Sequence, residues 1–400
     1  MSAPGTGRAA ATALGTLPPE RRALVERLLR SGTARPAGPP STSDESGTPK
    51  ISLFFFSADI DDDPRDKHAL VLECARLADE LGLHAIWVPE RHFDAFGAPY
   101  PSPGLLLAAI AASTERIALR SGSVVLPLHD PLLVAEEWGV LDSLSGGRVG
   151  MSLASGWHAD DFVLNPDGFE QRKQVLEDGL ADLYALWRGE PVRRVAPGGR
   201  EIDVRIHPRP RAVPEVWLTS TGNPQTWRTA ARLGLNVLTA MLEQSLEDVA
   251  GKVALYRAAL AEAGRPATGG EITCMLHTHL APDPAQARER VREPLRRYLT
   301  AHLNLFEKFA ASQDLGVHPD DVTDADRAAL IEHGLRRYID SSGLFGSAES
   351  CLPAVDRLRA AGITELGCLI DFGLPREDVL QSVRELAGLA TRLRARKAGS

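Results

Sequence analysis

Cysteine is scarce. The 400-residue chain has four, Cys74, Cys274, Cys351 and Cys368. None lies within metal-ligand spacing of another, and no disulfide framework is visible, which agrees with a reducing compartment. No apolar run approaches the roughly 18 residues that suggest a membrane span. The start of the chain has no hydrophobic signal core, so a soluble cytoplasmic protein is expected. Basic residues are not in excess: the net charge is −8, which gives no global attraction to nucleic-acid phosphates. No Gly-rich dinucleotide fingerprint follows the first strand-like run. That region carries Asp59, Asp61, Asp62 and Asp63, which would repel a pyrophosphate. His277 and His279 alternate on one strand face but have no evident third ligand, so no metal is expected.

What is present divides in two. Residues 1–49 are rich in Ala, Gly, Pro, Ser and Thr, a composition that buries too little surface to fold. Within them Leu24, Val25, Leu28 and Leu29 fall at helical spacing in the segment 17–30, behind Pro18 and Pro19. We expect a flexible extension with a short helix that docks on the barrel or on a partner. From residue 50 to 396, apolar strand-like runs alternate with helical stretches. Strands are expected at 51–57, 84–88, 117–125, 149–154, 216–220, 236–239, 272–280 and 364–370. Eight βα units imply an α/β fold, a (β/α)8 TIM barrel, with insertions after the fourth and seventh strands.

Chemistry in such a barrel sits at the carboxyl ends of the strands. After the second strand stand Glu90, Arg91 and His92, an acid, a cation and a base in sequence. Pro99, Pro101 and Pro103 make a rigid bend in which the Ser102–Pro103 bond can be cis at modest cost. After the third strand, Asp130 and Pro131 suit a helix start, and His129 faces either the pocket or solvent. After the fourth come Ser155, Gly156 and Trp157, a close backbone approach beside a flat ring. After the fifth, Ser220, Thr221, Gly222 and Asn223 open a helix, a place where backbone donors bind phosphate. Asp142 and Arg148 flank a glycine cap and are read as a structural pair.

Taken together, the Pro89–Phe93 stretch with Phe96-Gly97, the Leu141–Arg148 stretch, Ser155-Gly156-Trp157 and the Ser220–Asn223 turn resemble the bacterial luciferase-like monooxygenases over residues 50 to 395. More narrowly, the chain looks like the branch that accompanies nonribosomal peptide and polyketide synthases, whose leaders resemble Leu17–Arg30. The resemblance implies FMN, reduced by a separate reductase, with its phosphate at Ser220–Asn223 and Ser155-Gly156. It places Ser102–Pro103 where relatives carry a non-prolyl cis peptide beneath the flavin. It implies O2 as co-substrate, His92 or Arg91 as the polarising group, a carrier-bound acyl or aminoacyl thioester as substrate, and a homodimer. Two departures stand out. Arg91 takes the place of a catalytic histidine of the luciferases, and Ser155 that of a phosphate-binding arginine. The rivals are an F420-dependent hydride carrier, a Baeyer–Villiger-type oxygenase, a non-catalytic scaffold barrel, and an unrelated hydrolase built on Glu90 and Asp371.

Overall fold

The computed structural model describes residues 47–56, 63–94, 97, 99–241, 244–301 and 324–398. The expected helix at 17–30, and all of the extension before residue 47, lie outside them. The order of elements is β1 (Lys50–Phe54), α1 (Pro64–Glu80), β2 (Ala85–Val88), α2 (Pro103–Ala111), β3 (Ala118–Val125), α3 (Pro131–Ser145), β4 (Val149–Ala154) and α4 (Arg172–Trp187). Then come β5 (Val192–Ala196), β6 (Arg200–Val204), β7 (Glu215–Thr219), α5 (Pro224–Leu233), β8 (Asn236–Ala240), α6 (Leu246–Glu262) and β9 (Ile272–Leu280). The chain closes with α7 (Pro284–Arg290), α8 (Asp324–Arg337), β10 (Leu344–Gly346), α9 (Leu352–Ala360), β11 (Glu365–Leu369) and α10 (Arg376–Ala398).

The parallel order β11-β1-β2-β3-β4-β7-β8 is completed by β9, which pairs with both β8 and β11. The sheet thus closes into an eight-stranded TIM barrel, as expected. Helix starts follow local chemistry. Asp63 and Asp130 accept hydrogen bonds from Arg65 N–H and Leu132 N–H, and Pro64 and Pro131 fill first-turn positions that need no donor. Three strands among the described residues were not expected. β5 and β6 form an antiparallel hairpin around Gly198 and Gly199, both at positive φ, between α4 and β7. β10 adds three residues beside β9, outside the closed ring.

Side chains alternate across each strand and make two cores. Ile51, Leu53, Ile86, Leu119, Met151, Val216, Cys274 and Cys368 pack outward under the helices. Phe54, Trp87, Trp217, Leu238 and Leu369 belong to a second cluster that fills the lumen. Phe54 stacks on Trp87 at 6.2 Å, and Trp87 meets Trp217 edge-on at 5.2 Å. Small residues on neighbouring strands make the room: a Cβ on Gly122 would lie 2.8 Å from the Phe54 ring, and one on Gly150 3.0 Å from Trp217.

Toward the strand amino ends, the lumen holds one carboxylate. Glu365 accepts from Trp87 Nε1 (2.9 Å), Arg120 Nη1 (2.6 Å), Thr273 Oγ1 (3.1 Å) and Ser52 Oγ (2.5 Å). Burial pushes its carboxyl up, but the Arg120 charge, His84 and these hydrogen bonds outweigh it and hold the group below its ordinary value. The Arg120 guanidinium lies over the rings of Trp217 (4.3 Å) and Trp87 (5.2 Å). Replacing Arg120 by Met should therefore destabilise the protein by about 3–5 kcal/mol, because it strands a buried charge. Urea unfolding at neutral pH measures this. A loss below about 1 kcal/mol would mean that the neutral donors suffice to hold the carboxylate.

Candidate functional site

The loop after β2 is fastened at both ends. Arg91 N–H donates to the Tyr100 carbonyl (2.9 Å), and Tyr100 N–H donates to that of Gly97 (3.1 Å). Tyr100 Oη donates to Asp371 Oδ2 (2.7 Å), just beyond β11, and Phe56 N–H donates to Asp371 Oδ1 (2.7 Å). Asp371 thus joins the mouth ends of β1, β2 and β11. Burial pushes its carboxyl up to about 6, against those hydrogen bonds and the Lys67 charge.

Glu90 stands at the centre of the corner this creates. Its side chain is buried, and its Oε1 faces both His92 Nε2 and His129 Nε2, each at 2.7 Å. Its Oε2 accepts the Val125 N–H (2.8 Å) at the end of β3. Burial pushes Glu90 up, but the hydrogen bonds from His129, His92 and Val125 hold it below its ordinary value. For His129, burial pulls the imidazole down, while the hydrogen bond and charge of Glu90 outweigh it and hold it above 6.5. The three groups are near enough to share a cation. Their 2.7 Å N···O separations are nonetheless those of charge-assisted hydrogen bonds, shorter than the roughly 3.3 Å between ligands on a tetrahedral centre.

Arg91 lies on the other side of the loop and is 4% exposed. Its Nη1 pairs with Asp161 Oδ2 (3.2 Å), on the 3-10 turn Ala159–Leu164 that follows β4. Asp161 Oδ1 faces His158 Nδ1 (3.3 Å). The half-exposed Trp157 ring lies 5.6 Å from the guanidinium carbon. Gly156, at φ +79°, makes this turn possible, since a Cβ there would strike the Phe162 ring at 2.7 Å. Phe93 beside His92 is 65% exposed and holds φ 50°, an unusual conformation for an aromatic residue.

On β3, β4 and β7 the mouth is lined by hydroxyls. Thr219 Oγ1 meets Ser152 Oγ (2.7 Å) and Ser123 Oγ (2.5 Å). Beyond them Asn223 caps α5 by accepting the Gln225 N–H (2.9 Å). Ser220 Oγ donates to the Asn223 carbonyl (3.3 Å). Thr221 and Gly222 are exposed, and a Cβ on Gly222 would meet nothing within 4 Å.

Two expectations are corrected. The Ser102–Pro103 bond is not among the cis bonds; Ser102 is extended and Pro103 opens α2, where its fixed φ suits a first turn. The non-prolyl cis bond is Gly122–Ser123, near the end of β3, so the place assigned to Ser102–Pro103 falls there. Arg148 does not pair with Asp142. It donates to the carbonyls of Ser145, Ile117 and Thr114, while Asp142 accepts the Arg211 N–H. His277, on β9, sits among the rings of Tyr298, Tyr338 and Phe372. Sequence reasoning left His129 open and missed Asp161, His158 and the Ser123–Ser152–Thr219 cluster. Each lies at or just past a strand's carboxyl end, the rule that found the others. A cleft of about 780 Å³ lies at the opposite end of the barrel, where His84, Lys50, Arg116 and Arg394 line it. It contains none of these groups, and barrel chemistry belongs at the mouth.

Residues 51–365 match the model of the luciferase-like monooxygenase family, so the chain belongs to that family, whose members are oxidoreductases that work with flavin. Among individual relatives it is 30% identical over 298 residues to 4-hydroxyprotoasukamycin monooxygenase of Streptomyces nodosus subsp. asukaensis, covering 72% of this chain and 76% of that protein. It is 23% identical over 347 residues to the oxygenase component of a flavin-dependent trigonelline monooxygenase of Acinetobacter baylyi, covering 82% and 91%. The fold matches the oxygenating constituent of 3,6-diketocamphane monooxygenase of Pseudomonas putida in complex with FMN, with TM-score 0.67, 17% identity, and 86% and 98% of the two chains covered. It also matches an F420-dependent secondary alcohol dehydrogenase, with TM-score 0.64, 16% identity, and 86% and 99% covered. No helix among the described residues is long and apolar enough to cross a membrane.

The Glu90 corner makes a pH-dependent prediction. His129, raised in the folded state, contributes stability that is full below its ordinary value of 6.5 and is lost as the pH rises through its folded value. Glu90, lowered, contributes stability above its ordinary value of 4.5 that is lost as the pH falls through its folded value. The stability lost in Glu90→Gln should therefore be larger at pH 6 than at pH 9, and the His129 ring should titrate at lower pH in the variant. Unfolding curves at the two pH values and imidazole NMR titration test both; an unchanged His129 midpoint would remove the pairing.

Proposed function

We propose that the chain is the oxygenase of a two-component system. It uses FMN reduced by a separate reductase, together with O2, to hydroxylate an intermediate of natural-product biosynthesis. The observation that carries this reading is the pair of imidazoles held on one buried carboxylate at the mouth of a barrel of this family. The residues present fit the flavin. Ser220, Thr221, Gly222 and Asn223 offer a phosphate an open turn at the start of α5, with space around Gly222. Ser155 and Gly156 stand beside it, and the hydroxyls of Ser123, Ser152 and Thr219 face the same mouth. Reduced FMN, when bound there, supplies the electrons that activate O2.

The protein's own part is positioning and proton supply. Glu90 orients His92 and His129 through one oxygen, which engages Nε2 of each and leaves Nδ1 to take up or, in the protonated ring, give a proton. Arg91 keeps a fixed positive charge at the position where luciferases have a histidine. Trp157 and the Ala159–Leu164 turn cover that charge from solvent.

The separate reductase is supported by the relatives named as an oxygenase component and an oxygenating constituent. Natural-product chemistry is supported by the Streptomyces relative. A synthase setting, with a carrier-bound thioester as substrate and docking through 17–30, rests on the likeness of Leu17–Arg30 to synthase leaders. A homodimer and a cytoplasmic location complete the reading, as does a division into the extension 1–49 and the catalytic barrel 50–396.

In the test, the protein is mixed anaerobically with photoreduced FMN, O2 is admitted, and flavin reoxidation and product are followed. Flavin bound in both redox states is expected. His92→Ala should lower product formation by about 10²–10⁴-fold while FMN, followed by its fluorescence, remains bound. Unchanged turnover would remove His92 from proton supply. Binding of F420 but not FMN would replace the oxygenase with a hydride carrier.

A further inference from the structure

Arg91 has donors to spare. Among the described residues, of its guanidinium nitrogens only Nη1 is engaged, by Asp161; Nε and Nη2 are buried and have no hydrogen-bond partner there. A buried donor without an acceptor costs free energy comparable to a lost hydrogen bond, and more when it carries charge. Such a group persists where function requires it. The geometry of the unused pair is informative. In a planar guanidinium, Nε–H and one N–H of Nη2 point in parallel along one edge, the two-pronged arrangement that matches both oxygens of a carboxylate.

The side chain is held for this task. Its backbone N–H is fastened to Tyr100, and its Cγ lies so close to Gly97 that a Cβ there would approach to 2.8 Å. Its counter-ion is shared, because Asp161 turns its other oxygen to His158. The Trp157 ring, 45% exposed, gives the guanidinium a flat apolar neighbour at 5.6 Å.

We propose that the Nε/Nη2 edge of Arg91 is the specificity-determining element of the site and takes the carboxylate of a planar, aromatic-type acid whose ring lies against Trp157. This rests on the monooxygenase reading and sharpens it: the substrate would be an acid, recognised by its carboxylate. No step of the reaction passes through Arg91 in this role, which is to bind and orient.

The test uses the full chain, with and without FMN, in calorimetric titrations with benzoate and 2-naphthoate and with their amides, which have the same shape and no charge. The wild type should prefer each acid to its amide by about tenfold or more, the range of a charge-assisted pair. Arg91→Lys keeps the charge but loses the parallel edge, and should abolish most of that preference; its thermal melt shows that it is folded. Trp157→Ala should weaken acid and amide alike. Equal binding of acid and amide, no binding of either, or a preference that survives Arg91→Lys would overturn the proposal. So would loss of FMN affinity in Arg91→Lys without effect on the acids, since the edge would then serve the cofactor. If the wild type fails to bind FMN, the monooxygenase reading falls, while the acid preference stands or falls by its own titration.

Discussion

One carboxylate organises the barrel. Glu365 projects from β11 into the lumen and gathers donors from β1, β2, β3 and β9, so a single side chain ties together five of the eight strands. It is affordable only because Arg120 brings the opposite charge into the same layer and the rings of Trp217 and Trp87 lie against that charge. Above it, Phe54, Trp87 and Trp217 fill the space left by Gly122 and Gly150. Strand tilt and register must accommodate this packing, and so the mouth positions of each strand are set from below.

The site inherits that order. β2 and β3 lie side by side in register, Val88 beside Ser121, so the residues just past them are brought together. Glu90 then bridges the gap by taking the Val125 N–H, and His129 reaches back to the same carboxylate. The acid–imidazole corner is therefore an extension of the sheet rather than a free loop, and its side chains are held as firmly as the strands. Arg91 and Asp161 make the same kind of link between the loops after β2 and β4.

Much of this was legible in the residues. All eight barrel strands stood out because strands buried on both faces are nearly continuous apolar runs. The β5–β6 hairpin did not, because its strands carry Arg193, Arg194, Glu201 and Asp203 in half-solvated positions, and only the paired glycines marked it. Strand-end position pointed to Glu90, Arg91 and His92, but the partners of these groups lie 35 to 70 residues away and are set by closure of the barrel. The misplaced cis bond has a similar origin. Proline chemistry made Ser102–Pro103 a reasonable place, whereas the cis bond lies in β3, where Gly122 packs against Phe54 and Trp87.

The plugged lumen has a consequence for access to the strand ends. Among the described residues the floor of the barrel is filled by a charged layer under the rings of Phe54, Trp87 and Trp217, so a small molecule reaches the strand ends through the mouth. Whatever closes that opening sets entry and escape together. How long a small molecule stays at the strand ends is then decided at the mouth, where the half-exposed Trp157 stands.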